Sequence, residues 1–551
     1  MTGLTHGPAP SAQTPRALRL LLLVLCAALA LVIAGNSALA IALPDIAADL
    51  SADQGELTWI IDAYALTFAA LLLPAGIAAD RVGRRTMLVA GLIIFGGAGV
   101  ASAFAPDPAW LIGLRALAGV GAAATFPVTL SALVDAYPEE RRGFAVAVWS
   151  GVSAAGAVLG TLVAGVLLEV SGWGSVQLAF GIGALVLLPA VAVLVAQNRN
   201  PDLSLDPLGA LWAVVGLTGL VFGIIEAPQR GWTDTVTVLA LAVGLVGLVG
   251  FVVHEMRTRE PSLDVRLFRN RGLASGSLLV SLQFFASLGL FVLAPQYLQV
   301  VRDYSPLQAA AALLVIPVGV GAGTALAPRL LAGVGAKVPG TAGLASMAAG
   351  FALLAVALDD VEATGALVRW WLPAAGLIVF GFGFGLAITP GTVLIIDGLP
   401  EDRRSVASAV NDITREVGGV LGIAVLSSVL ISAYRDDITP ALTALPAQLQ
   451  APALDGAGAA LGAAAGLGPE GAVLADAARA AFAVGLAAAL WVGAGVLAAA
   501  AVLCAALAPG RLRTAATPGT GTSTGSTPGT AQPGALDVPG PSGSAVPGGT
   551  R

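Results

Sequence analysis

The stretch Ser408-Ala-Val-Asn411-Asp412-Ile-Thr-Arg415-Glu416-Val-Gly418-Gly419-Val-Leu-Gly422 belongs to an apolar run, yet it carries Asn411, Asp412, Arg415 and Glu416. At about 100° per residue these four fall within an arc of roughly 140° on a helix. Carboxylates at i and i+4 repel unless one is protonated or a cation stands between them. Burial and a neighbouring cation push a carboxylate's proton affinity in opposite directions, so this face has the parts of a proton-coupling site. The competing reading is a helix end bathed in water, but Arg403 and Arg404 already mark that end.

Two more charges sit in apolar runs. Arg115 begins Arg115-Ala-Leu-Ala-Gly119-Val-Gly121, and Asp62 lies in Trp59-Ile-Ile-Asp62-Ala-Tyr64. A charge in hydrocarbon costs at least about 2.5–3.5 kcal/mol, so it ordinarily faces a cavity and a partner. Both lie near the outer ends of their runs, and this shared depth predicts an Asp62–Arg115 pair. Without a pair, Arg115 snorkels outward and Asp62 is an interfacial acid beside aromatic residues. Neither His6 and His254 nor Cys26 and Cys504 have metal-site spacing, so no metal is expected.

These residues need membrane-spanning elements to position them. The chain has 551 residues, 57% hydrophobic and 11% charged, with mean hydropathy +0.88; soluble domains carry roughly 25% charged residues. The net charge of −6 is spread out, which argues against a nucleic-acid partner. A span needs about 20 mostly apolar residues, and fourteen such runs lie between residues 18–41 and 480–508. The first is too long for a cleaved leader. With the N-terminus inside, cytoplasmic segments hold 20 basic residues and outside segments five. That bias puts both termini in the cytoplasm. Cys26 and Cys504 then lie near the cytoplasmic side, where disulfides do not persist. Residues 433–479 read as a long outside segment with room for a short helical hairpin. The Gly-, Pro-, Ser- and Thr-rich tail, 509–551, reads as disordered.

Gly76-Ile-Ala-Ala-Asp80-Arg81-Val-Gly83-Arg84-Arg85 closes the second run. Glycine permits a tight turn there, and Asp80 could pair with a basic residue or a helix N-terminus. A topology loop would explain the arginines but not the ordered glycines and acid. The segment resembles the loop signature of the major facilitator superfamily, in which this loop latches the cytoplasmic side. Gly335-Ala-Lys337 leading to Gly343-Leu repeats the spacing of Gly83-Arg-Arg85 and Gly91-Leu, as internal transporter repeats do. Arg115 resembles the superfamily's fourth-helix arginine, with Ala118 where a glutamine is usual. Gly156, Gly160 and Gly165 have the spacing of close helix packing and resemble an exporter motif, but Thr161 stands in place of its proline and Ala164 in place of a glycine.

With Ala42-Leu43-Pro44 and Pro261-Ser-Leu-Asp264-Val-Arg-Leu-Phe268-Arg, the whole resembles the fourteen-helix drug:proton antiporters over about residues 18–508. The resemblance implies an all-α membrane protein: a cytoplasmic tail over 1–17, a six-helix bundle over 18–196, two inserted helices and a linker over 197–270, and a second six-helix bundle over 271–508. It implies proton-coupled export of small lipophilic compounds, a cationic one being allowed, by a monomer in the inner membrane. The proton gradient would be the energy source, with no cofactor. Asp62, Asp412 and Glu416 match its coupling acids, and Asn411 stands where some relatives have another. The first-helix aspartate is absent: Gly35 stands there, beside Asn36 and Ser37, which cannot titrate. An importer or uniporter on the same fold is the alternative. A membrane enzyme or receptor would need a catalytic cluster or a soluble domain, and neither is found.

Overall fold

The computed structural model describes residues 15–198, 206–258, 261, 263–359, 366–399, 404–443, 450, 453–466 and 471–509. Expectations for residues 1–14 and 510–551 lie outside these. Several helices begin where the chain offers a side-chain acceptor. Asp53 and Glu56 form a reciprocal capping box at the start of α2 (Gln54–Val82). Asp107 followed by Pro108 opens α4 (Pro108–Ala136), since proline at the first position lacks only an N–H that would be unpaired there. Helices α1 (Pro15–Leu50), α3 (Arg84–Ser102), α5 (Glu139–Val170), α6 (Gly174–Val186) and α7 (Leu188–Leu194) complete the first group. Pro189 interrupts the sixth span between α6 and α7, because it has no N–H to continue the ladder.

Next come α8 (Pro207–Arg230) and α9 (Thr235–Arg257), then a 3₁₀ turn at Val265–Arg269. The second group comprises α10 (Arg271–Val300), α11 (Pro306–Ala312), α12 (Val315–Val334), α13 (Lys337–Asp359), α14 (Ala366–Asp397) and α15 (Arg404–Leu442). It ends with α16 (Ala457–Gly466) and α17 (Gly471–Leu507). No strand occurs among the described residues. Among the described residues thirteen helical stretches are long and apolar enough to cross a bilayer, and α5 supplies a shorter apolar stretch, Gly156–Val170. His254 sits in the last turn of α9 with Nε2 2.9 Å from Asp206 Oδ1.

The first group packs mainly through α1–α5, α2–α4, α3–α4 and α3–α6, the second through α10–α15, α12–α14, α13–α14 and α13–α17. Helices α8 and α9 pair with each other, and α8 also rests on both α2 and α15. Between the groups, Gln299 Nε2 donates to the Ile41 carbonyl at 2.8 Å. Ala65, Leu66 and Ala70 of α2 share a buried cluster with Val420 and Ala424 of α15 and with α8. Gly83 and Gly335, ending α2 and α12, both adopt positive φ, +114° and +77°. The repeat seen in sequence therefore has a conformational counterpart.

The segment 433–479 differs from expectation. It is largely helical: α15 continues to Leu442 and α17 already begins at Gly471. At 1.5 Å per residue, the 39 residues of α15 extend roughly 58 Å, about twice the hydrocarbon thickness. A hydropathy window finds the apolar part of such a helix and misses its continuation. Tyr434 donates its hydroxyl to the Ala453 carbonyl at 2.8 Å, and Arg435 Nε donates to the Leu454 carbonyl at 3.0 Å.

Candidate functional site

The face of α15 is set by its glycines. A Cβ at Gly418 or Gly422 would run into the carbonyls of Ser281 or Phe285, so these glycines let α15 lie directly against α10. Arg415, about one turn earlier on that face, stacks over the Phe284 ring at 4.6 Å from its centroid. Its Nη1 lies 3.8 Å from Asp412 Oδ1, with the two side chains 28% and 25% exposed. Asn411 Oδ1 accepts from Thr392 Oγ1 at 3.3 Å. Glu416 is half-buried, and Ile413 in the same stretch packs against the core of the first group. The four residues lie on α15, which packs against α2 across the two groups, while Asn411 and Arg415 themselves contact α14 and α10 of the second group. Arg415 pairs with Asp412 alone, however, and does not bridge to Glu416 among the described residues.

Arg115 is 2% exposed, which excludes snorkelling. Its Nε donates to the Ile60 carbonyl at 3.1 Å, its Nη2 donates to Asn36 Oδ1 at 2.8 Å, and the guanidinium lies 4.4 Å from the Tyr64 ring centroid. Asp62 is fully buried, and neither carboxylate oxygen has a hydrogen-bond partner among the described residues. The expected Asp62–Arg115 pair is therefore corrected. Depth along the helix agreed, but direction did not. Residues two apart on a helix point about 200° apart. Tyr64 and Thr67 face α4, where Thr67 Oγ1 donates to the Ala116 carbonyl at 2.8 Å and Gly119 lies against both residues. Asp62 points the other way, sharing its face with Leu66, which packs in the cluster with α8 and α15. Asn36, set aside in sequence as unable to titrate, is the arginine's partner.

At the other end of α2, Gly83 must be glycine. Its φ is +114°, and a Cβ would overlap the Gln197 amide. Arg84 Nη1 pairs with Asp135 at the end of α4 and donates to the Ser131 carbonyl at 3.1 Å. Gln197 Nε2 donates to the Val82 carbonyl at 3.2 Å, while Asn198 Nδ2 donates to Asp135 Oδ2 at 3.1 Å. Arg85 reaches the Ala192 carbonyl at 3.4 Å, and Arg81 is exposed. Gly76 has only Pro127 near its missing Cβ, at 4.0 Å. The side chain of Asp80 lies outside the described residues. Asp135, Gln197 and Asn198 escape sequence reading because they are remote in the chain from the loop they hold. Gly83→Ala is expected to destabilise by about 1–2 kcal/mol or more, from left-handed backbone plus the overlap with Gln197. A lower thermal-unfolding midpoint in detergent checks this.

The three glycines of α5 do different work. Gly156 makes ordinary contact with Ile33, whereas a Cβ at Gly160 would strike the backbone of Ala34 in α1. Gly165 instead faces Leu307 and Ala310 of α11, in the other group. At Thr161 the hydroxyl donates to the Ala157 carbonyl at 2.9 Å, and Ser37 of α1 donates to the same oxygen at 3.0 Å. Gly160→Val is expected to force α1 and α5 apart and lower folded yield sharply, read by size-exclusion recovery. Gly156→Ala is expected to be tolerated. Among the described residues no cluster of His, Cys, Asp and Glu could hold a metal ion.

A nearly all-helical chain with many spans and charged residues within them suits a secondary transporter. Residues 25–423 match the family model of the Major Facilitator Superfamily, and the chain belongs to that family. It is 31% identical to the multidrug resistance protein Stp of Mycobacterium tuberculosis, covering 74% of this chain and 75% of that one. The multidrug efflux pump LfrA of Mycolicibacterium smegmatis is 32% identical over 82% and 89% of the two chains. The puromycin resistance protein pur8 of Streptomyces alboniger is 34% identical over 74% and 81%. Among solved structures, a bacterial homolog of the human lysosomal transporter Spinster, inward-facing and unoccupied, superposes with TM-score 0.64 at 18% identity, covering 90% of this chain and 98% of that one.

Proposed function

We propose that this transporter exports small lipophilic compounds, drugs and antibiotics among them, in exchange for protons. The observation that carries the proposal is the half-buried Asn411–Asp412–Arg415–Glu416 face of α15 at the seam between the bundles. Asp62, on α2, has no donor of its own among the described residues. A carboxylate in apolar surroundings without a donor is tolerated in its neutral form, which suits a site that takes up a proton and gives it back. Half-buried Trp149, Phe284 and Phe384 offer aromatic surface to a lipophilic substrate, and an acidic face favours one bearing positive charge. The names of Stp, LfrA and pur8 support export of such compounds.

In this reading the chain works as a monomer in the plasma membrane with both termini cytoplasmic, as the arginine bias implies. The contacts of Gly165 with α11 and of Gln299 with Ile41 then lie at the extracytoplasmic end, and the state described is closed outward. The 18–196 and 271–508 bundles rock about the α15 seam, and the Gly76–Arg85 loop latches the inner side. With Asp80→Asn or Asp135→Asn the balance between the two arrangements is expected to shift towards facing the cytoplasm, seen as a changed pattern of cysteine labelling from the two sides. Unaltered labelling with full transport would reduce the loop to a topology signal. The export proposal is tested by growth inhibition with puromycin, methyl viologen and other lipophilic drugs in a deletion strain and its complement. Protection by the complement supports export; sensitisation by it would favour uptake.

A further inference from the structure

We propose that the first bundle holds an internal water site that solvates Arg115 in place of a carboxylate. A cavity of about 10 Å³, measured as space open to the centre of a water molecule, lies among α3, α4 and α6 and is lined by Arg115, Ser102, Gln177, Gly99, Gly181 and others. One water needs about that much room and two to four polar partners. The space exists because α3 and α6 meet at Gly99 and Gly181, where a Cβ on either would press on the other helix. Ser102 and Gln177 are 1% and 4% exposed, and Ser102 Oγ and Gln177 Nε2 have no hydrogen-bond partner among the described residues.

A guanidinium has five N–H donors, and two of Arg115's are met by Ile60 and Asn36. A water in the cavity accepts from Arg115 and from Gln177 Nε2 and donates to Ser102 Oγ. Both orphaned atoms then have a partner, and Arg115 gains a further acceptor, with no acid. The site lets the bundle keep a buried cation without drawing Asp62 away from the seam, and it holds whether or not transport is proton-coupled.

Two measurements test it on the full chain. A wild-type density map fine enough to show ordered water should place a peak within hydrogen-bond distance of Ser102 Oγ, Gln177 Nε2 and the guanidinium. No peak there, with other buried waters visible, overturns the proposal. Ser102→Val fills the space with methyl groups, so the sign of its effect separates a wet cavity from a dry one. Displacing a bonded water should lower the unfolding midpoint by on the order of 2 °C or more, and Ser102→Ala, which removes a partner without filling, should lower it less. A raised midpoint for Ser102→Val means that the cavity is dry, and the proposal fails.

Discussion

Replacing Asp412 by Asn together with Glu416 by Gln is expected to abolish proton release when a transported drug is added to the protein in weakly buffered detergent solution. The amides keep the size of the carboxyl groups, so the packing of α15 against α10 through Gly418 and Gly422 stays intact. What is lost is the capacity to titrate. Arg415 remains over Phe284, and the amide carbonyl at position 412 can still accept from it, so the variant should fold. Drug transport driven by an imposed pH gradient should fall to the level of vesicles without protein. Proton release equal to wild type from the folded variant would remove α15 from the coupling mechanism.

The second large effect is expected at Arg115, and it separates two possible partners. Asn36→Ala leaves a buried charged donor without its acceptor, which should cost about 1.5–3 kcal/mol. In a double-mutant cycle with Arg115→Ala, the pair should show coupling of about 0.5–3 kcal/mol, as residues in contact do. The same cycle between Asp62→Asn and Arg115→Ala should give close to the sum of the single effects, because Asp62 points away from α4. Thermal unfolding in detergent reads both cycles. Strong coupling in the Asp62 cycle with none in the Asn36 cycle would reverse the assignment.

That outcome turns on how far a sequence can be read. Depth was legible: runs of about 20 apolar residues fixed how far along its helix each charge lies, and Asp62 and Arg115 do share a level. Direction was legible within one helix, where Asp412 and Arg415, three residues apart, do meet at 3.8 Å. Direction between helices was not, since it depends on which face of α2 meets α4. Gly119 decides that by admitting the Tyr64 carbonyl and Thr67. The clamp on the Gly83 turn was invisible for a related reason, as Asp135 and Gln197 lie 51 and 111 residues from the groups they bond. The helical continuation of α15 past residue 433 carries charges that end a hydropathy window while leaving the backbone free to stay helical.

Exchange of drug for protons can be followed in reconstituted vesicles. The protein is placed in vesicles with an imposed pH gradient, and a drug identified by the growth panel is followed on one side and pH on the other. The account predicts drug movement against the direction of proton flow, and collapse of drug accumulation when a protonophore dissipates the gradient. Accumulation that persists without the gradient, or drug and protons moving the same way, would contradict it.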